Sequence, residues 1–302
     1  MGCGHGRTVE QEKKPSARYP LCKLTIPVTD LEIDSICAYD ESRILIGAKG
    51  DLQICDLTTK SLSSISKDHP SRINCIIKLK NSTVVTAGQD ASIKLWDIEK
   101  KECKGTLTGH TSFCWVINEL KGDKLISGSD DKQCKVWNLK ELKEEFTLYK
   151  SHREISAVIQ LKTEKILLCS GRQMLLFDLK TKNQETCMEV RGGAWVLKEL
   201  SNGDVVAGQG KGVVSLIKIT DEIQIKATFK TYHTRTVTLC IELDNLKIIT
   251  ASDENDLVMY DVNDMDSMFI IKGHSDAVTA LTKINGGSFA TVSKDKTLKV
   301  WE

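Results

Sequence analysis

One phrase, written three times almost alike, constrains this chain more than any other feature. It reads TAGQDASIKLWDI from Thr86 to Ile98, SGSDDKQCKVWNL from Ser127 to Leu139, and TVSKDKTLKVWE where the chain closes at Glu302. Aligned on the aromatic that ends it, the phrase has copies at Trp96, Trp137, Phe177, Tyr260 and Trp301. Cys55 and Ile217 hold the same slot in two weaker copies, and successive steps are 41, 41, 40, 40, 43 and 41 residues. Turn-forming residues keep phase at Asn81, Gly122, Thr163, Gly203, Asn245 and Gly286. Such a period marks a repeat architecture, because one unit of this size cannot bury its apolar face alone and must pack against its neighbours.

Within each unit the pattern is β. Runs such as ILIGAKGDLQICDL and KLISGSDDKQCKVW alternate in short strands, and SNGD and INGG suit tight hairpins, where Asn and Gly accept positive φ. No segment sustains a 3.6-residue period. The 302 residues are 40% hydrophobic, with a net charge of +1 that gives no bulk attraction to nucleic acid or anionic lipid. No window approaches the roughly 20 apolar residues of a membrane helix, and the opening MGCGHGRTVE has no apolar core of a secretory signal. The 11 cysteines are odd in number, form no CxxC pair and sit mostly in apolar runs, so they read as small buried hydrophobes in a reducing cytoplasm.

The phrases GHTSFCWV…LISGSDDKQCKVWNL and GHSDAVTAL…FATVSKDKTLKVWE resemble WD40 repeats, and the resemblance covers residues 20–302 behind a polar leader at 1–19. It implies an all-β, seven-bladed propeller of four-stranded blades, one for each aligned slot. The family pattern ends strand c at Trp301, so the last blade lacks its outer strand. CKLTIPV near the other end alternates like a half-buried strand and carries Pro27, which only an edge strand tolerates. Residues 21–28 are therefore expected to complete the seventh blade and fasten the ring.

Five of the six histidines, His69, His110, His152, His233 and His274, recur at one point of the repeat. His69, His110 and His274 each precede an aspartate, Asp90, Asp131 and Asp295, by 21 residues. Thr86, Ser127 and Thr291 lie four residues before those aspartates, and Trp96, Trp137 and Trp301 six after. His, hydroxyl and Asp together suggest a catalytic triad, but an active site is singular and this set is repeated. The resemblance implies instead a structural hydrogen-bond network that rigidifies each blade. Lys49 and Lys211 stand where Asp is expected and Cys169 where the hydroxyl is expected, so blades one, four and five should be less rigid. Histidines spread one per blade cannot share a metal, and no GxxxxGK[ST] or GxSxG motif occurs. No catalytic residue, metal or cofactor is implied.

Function is then expected in loops. In WD40 propellers the d–a and b–c loops form the top face, the usual binding surface. Counted from the repeat histidine, or from Val190 in blade five, Arg72, Arg153, Arg191 and Arg235 fall on that face, and Arg172 in a b–c turn. Only eight arginines exist, and Arg43 alone of the propeller's six belongs to the bottom. Lysines crowd the c–d turns with glutamates, as solvated bottom loops do. Arginine suits bidentate recognition of carboxylate or phosphate, so an acidic or phosphorylated peptide is the expected ligand; local pairing with Glu154 or Glu189 is the competing explanation. Trp115 and Trp195, five residues beyond the repeat position, and Phe113 add residue types enriched at interfaces, although either Trp could instead fill space between blades.

Met1-Gly2-Cys3 resembles a dual acylation signal, myristate on Gly2 and palmitate on Cys3, with Gly6 departing from the M-G-x-x-x-[ST] pattern. The chain therefore reads as a cytoplasmic, non-enzymatic scaffold whose partners are other proteins. Membrane association would come only through that N-terminus, and no oligomeric state is implied. Other classes lack their marks. VRGGAW at Val190 lacks the paired arginines of phosphoinositide-binding propellers, the short leader holds Pro15 and no coiled-coil helix, and no WDxR motif of ubiquitin-ligase receptors follows strand c.

Overall fold

A computed structural model describes residues 20–28, 32–285 and 287–302. The strands form seven four-stranded antiparallel sheets. Blades one to six span residues 33–66, 73–107, 114–150, 155–189, 194–228 and 237–271. Blade seven takes strands a to c from 278–301 and its outer strand from Cys22–Pro27. This is a seven-bladed β-propeller.

The b strands Val84–Gly88, Ile166–Ser170 and Val205–Gln209 are buried at every position, because a neighbouring blade covers each face. Such strands read as continuous apolar runs. Outer strands such as Glu102–Leu107 are largely exposed and correspondingly polar. The core is accordingly seven apolar layers, each between two adjacent blades. Side chains on the innermost strands tie successive blades together. Asn74 Nδ2 donates to the Cys114 carbonyl at 3.0 Å, Asn118 Nδ2 to Val158 at 2.6 Å, and Ser156 Oγ to Ala194 at 2.6 Å.

The repeat slot is one structural position. Trp96, Trp137, Phe177, Tyr260, Trp301, Cys55 and Ile217 each pair, in the same register, with a residue near the start of strand b. Ring closure follows the expectation as well. Cys22–Pro27 pairs with Thr297–Trp301, setting Ile26 opposite Leu298, and Leu21 and Glu302 exchange two backbone hydrogen bonds. Ile26 and Val28, 2% and 3% exposed, complete the layer between blades seven and one.

One sequence assignment is corrected. Leu168, not Cys169, occupies the hydroxyl position of blade four: it faces Val158 and Leu175, as Ser127 faces Ile117 and Lys135. His152 lies only three residues before Ile155, whereas His110 lies four before the equivalent Cys114, so counting forward from His152 overshoots by one.

Candidate functional site

In blades two, three and seven the four repeated residues form one hydrogen-bonded chain. In blade three, Trp137 Nε1 lies 2.8 Å from Ser127 Oγ, Ser127 Oγ 2.6 Å from His110 Nε2, and His110 Nδ1 2.7 Å from Asp131 Oδ2. An indole can only donate and a carboxylate can only accept, which fixes every proton: Trp donates to Ser, Ser to His Nε2, His Nδ1 to Asp. His69, Thr86, Asp90 and Trp96 repeat this at 2.7–3.0 Å, and His274, Thr291, Asp295 and Trp301 at 2.7–2.8 Å. The Thr111 and Ser275 amides also donate to Asp131 and Asp295, pinning each d–a loop to its b–c turn. The group is spent on holding the blade; neither the Ser nor the Thr oxygens, fully buried, can meet a substrate.

Blade six carries a fourth version of the network, one that departs from the repeated phrase. His233 Nδ1 meets Glu254 at 3.1 Å and His233 Nε2 meets Thr250 at 3.0 Å, with the histidine 21 residues before the carboxylate. Glu for Asp and Tyr260 for Trp disguised it, although the spacing was there to find. In blade four the network is gone. His152 is exposed, and the hydroxyls of Ser151 and Ser170 lie 2.5 Å apart.

Burial pulls the pKa of His69, His110, His233 and His274 below the ordinary 6.5, outweighing the carboxylate beside each ring. Burial also works to raise Asp90, Asp131, Asp295 and Glu254. Hydrogen bonds from hydroxyls, backbone amides and the imidazoles nevertheless hold the aspartates below 3.8 and bring Glu254 to about 2. Both shifts act in one direction with pH. Below about pH 6.5 the unfolded chain takes up protons that the buried rings refuse, and below about pH 4 it takes up protons that the paired carboxylates refuse, so acid destabilises the fold in two stages. Thermal melts of the full chain should show a midpoint that falls between about pH 7 and pH 5 and falls further below pH 4. A midpoint unchanged down to pH 5 would contradict the buried, neutral histidines.

The arginines divide. Arg72 is held by Glu32 and by Asp34, 3.0 Å away, on the neighbouring blade. Arg153, Arg172, Arg191 and Arg235 are exposed and make no ion pair among the described residues; neither Glu154 nor Glu189 holds one of them. Arg43, on the other face, is paired with Asp40 and Glu99.

Arg153 and Arg172 come together in a cleft of about 300 Å³ between blades four and five, walled also by Glu154 and Trp195 and floored by Gly171, Gly192 and Gly193. The glycines are needed for the approach of the turns. Gly193 has φ +70°, and a Cβ there would lie 2.5 Å from the Gly171 carbonyl oxygen. Gly171 has φ +55°, and a Cβ there would lie 2.9 Å from Arg153 Cγ, so its absence lets the arginine stem cross the turn. Arg191 follows Val190, whose amide donates to the Arg172 carbonyl at 2.7 Å, but it does not line the cleft. Arg235 stands at a separate recess between blades six and seven, beside Asp253 and Lys294.

Trp195 also reaches the mouth of the central channel, a cavity of about 560 Å³, where Trp115 stands with Asp34, Asn74, Thr238 and Thr279. Trp115 and Trp195 are 41% and 45% exposed, so neither fills an interblade void. The Trp115 indole donates to Asp130 at 2.6 Å, and Phe113, 39% exposed, meets it edge-on at 6.0 Å.

The sequence matches the family model described as WD domain, G-beta repeat, over residues 60–97, 101–138 and 265–302. The chain is a WD40-repeat protein. Those three windows hold the three complete His–hydroxyl–Asp–Trp sets. The WD40 propeller is similar to the crystal structure of the WD40 beta propeller domain of Doa1, with a TM-score of 0.81 and 15% identity over 94% of this chain and 97% of that one. At that identity the likeness is one of fold. A comparison with curated protein sequences gave no match. WD40 propellers usually serve as protein-interaction scaffolds and are usually non-catalytic. No helix among the described residues is long and apolar enough to cross a membrane. The Gly2 and Cys3 acylation signal lies outside the described residues.

Proposed function

We propose that this WD40 propeller is a non-catalytic scaffold that holds acidic or phosphorylated peptide segments of other proteins on its top face. The observation that carries this reading is the set of four exposed, unpaired guanidiniums, at Arg153, Arg172, Arg191 and Arg235, on the loops of one face beside exposed tryptophans. The other two arginines of the propeller, Arg43 and Arg72, both meet carboxylates. Unpaired arginines beside aromatics are the composition of an interface hot spot.

Quantitative affinity capture from the native cell tests the reading, with wild type beside the triple variant Arg153→Glu/Arg191→Glu/Arg235→Glu. None of the three side chains makes a hydrogen bond within the described protein, so the melting temperature should hold. Specific partners should be lost from the variant. Retention of every partner by the folded variant would move the binding surface elsewhere, to the lysine-rich bottom loops or to the N-terminal segment.

A further inference from the structure

We infer that the cleft between blades four and five is a phosphate-reading subsite, taking a single phosphorylated serine or threonine side chain of a bound peptide. This rests on the scaffold reading above and names the chemistry of one part of that face.

The cleft lies where two adjacent blades both lack the repeat's network. In blades two, three and seven the imidazole and carboxylate bridge the d–a loop to the b–c turn and fill the top of the blade. In blade four Leu168 replaces the hydroxyl, the turn shrinks to Gly171-Arg172, and His152 faces solvent. Val190 replaces the histidine of blade five, and the loop into that blade is only residues 190–193. The vacated space is walled by Arg153 and Arg172.

Charge and size choose the ligand. Two guanidiniums with no ion pair face one carboxylate, Glu154. A phosphate near −2 can engage both arginines in charge-assisted bonds, whereas one carboxylate leaves a guanidinium unmatched. At about 300 Å³ the cleft is at the lower limit of ligand sites, which suits one side-chain head group. Glu154 lines both the cleft and the channel mouth, and so disfavours a second acidic residue on the channel side. Trp195, shared by the same two cavities, offers an aromatic wall to the residue next to the phosphate.

The test uses the full chain and an oriented library of phosphoserine and phosphothreonine peptides, read by fluorescence polarisation. Each peptide is paired with its unphosphorylated and glutamate-substituted forms. Phosphorylated members should bind about tenfold or more tighter than either counterpart. Arg153→Ala/Arg172→Ala should remove that preference with an unchanged melting temperature, and Arg235→Ala should keep it. A preference absent from every peptide, or surviving in the Arg153/Arg172 variant, overturns the subsite. So does binding confined to vesicles containing phosphoinositides. Partner capture that depends on the top-face arginines but is insensitive to phosphatase would leave the scaffold reading standing and remove this one.

Discussion

Ser127→Ala is expected to destabilise the fold by about 2–6 kcal/mol, a large part of the stability of an ordinary domain. The hydroxyl is fully buried and serves two partners at once: it accepts from the Trp137 indole and donates to His110 Nε2. Alanine leaves a buried donor and a buried acceptor unmatched, each at about 1–3 kcal/mol. Ser127→Thr should restore most of the loss, since threonine fills this place at Thr86 and Thr291. Urea unfolding of the three proteins measures the difference. A Ser127→Ala midpoint within error of wild type would mean that the repeated phrase does not hold the blade.

Ring closure carries the second large effect. Ile26 is 2% exposed and packs between blades seven and one, on a strand that lies more than 270 residues before its partner strand. Ile26→Ala should cost about 2–5 kcal/mol through lost burial and the cavity left behind. Ile225, also on an outer strand, is 51% exposed, and Ile225→Ala should change stability by no more than about 0.5 kcal/mol. Equal effects at the two sites, measured by urea unfolding, would contradict closure by the N-terminal strand.

The ring was legible in the sequence because its determinants are periodic. The aromatic slot, the turn residues and the 21-residue His–Asp interval each state the same repeat, and the lone strand at residues 21–28 has one place to go. Legibility failed where a residue changed type or a loop changed length. Glu254 and Tyr260 hid the network of blade six. The d–a loop of blade four, one residue shorter between His152 and Ile155 than between His110 and Cys114, displaced the count by one and put Cys169 in the place of Leu168.

The candidate binding face was only half visible. That Arg72 is engaged while Arg153 is unpaired depends on Glu32 and Asp34, which lie about 40 residues away on the adjacent blade, and no local pattern announces such a pair. The convergence of Arg153 and Arg172 depends on three turns meeting at Gly171, Gly192 and Gly193, a contact between backbones that side-chain patterning does not encode.

We propose that rigidity and recognition fall to different residues, the repeated network holding the blades and the arginines of the top face meeting the partner. Equilibrium binding of one captured partner to wild type, Ser127→Ala and Arg153→Glu/Arg191→Glu/Arg235→Glu separates the two, at a temperature where all three are folded. Ser127→Ala should bind with wild-type affinity per folded molecule, despite its lower stability, while the stable arginine variant loses the partner. The reverse outcome, binding lost with the hydroxyl and kept without the arginines, would place recognition in the network and contradict the division.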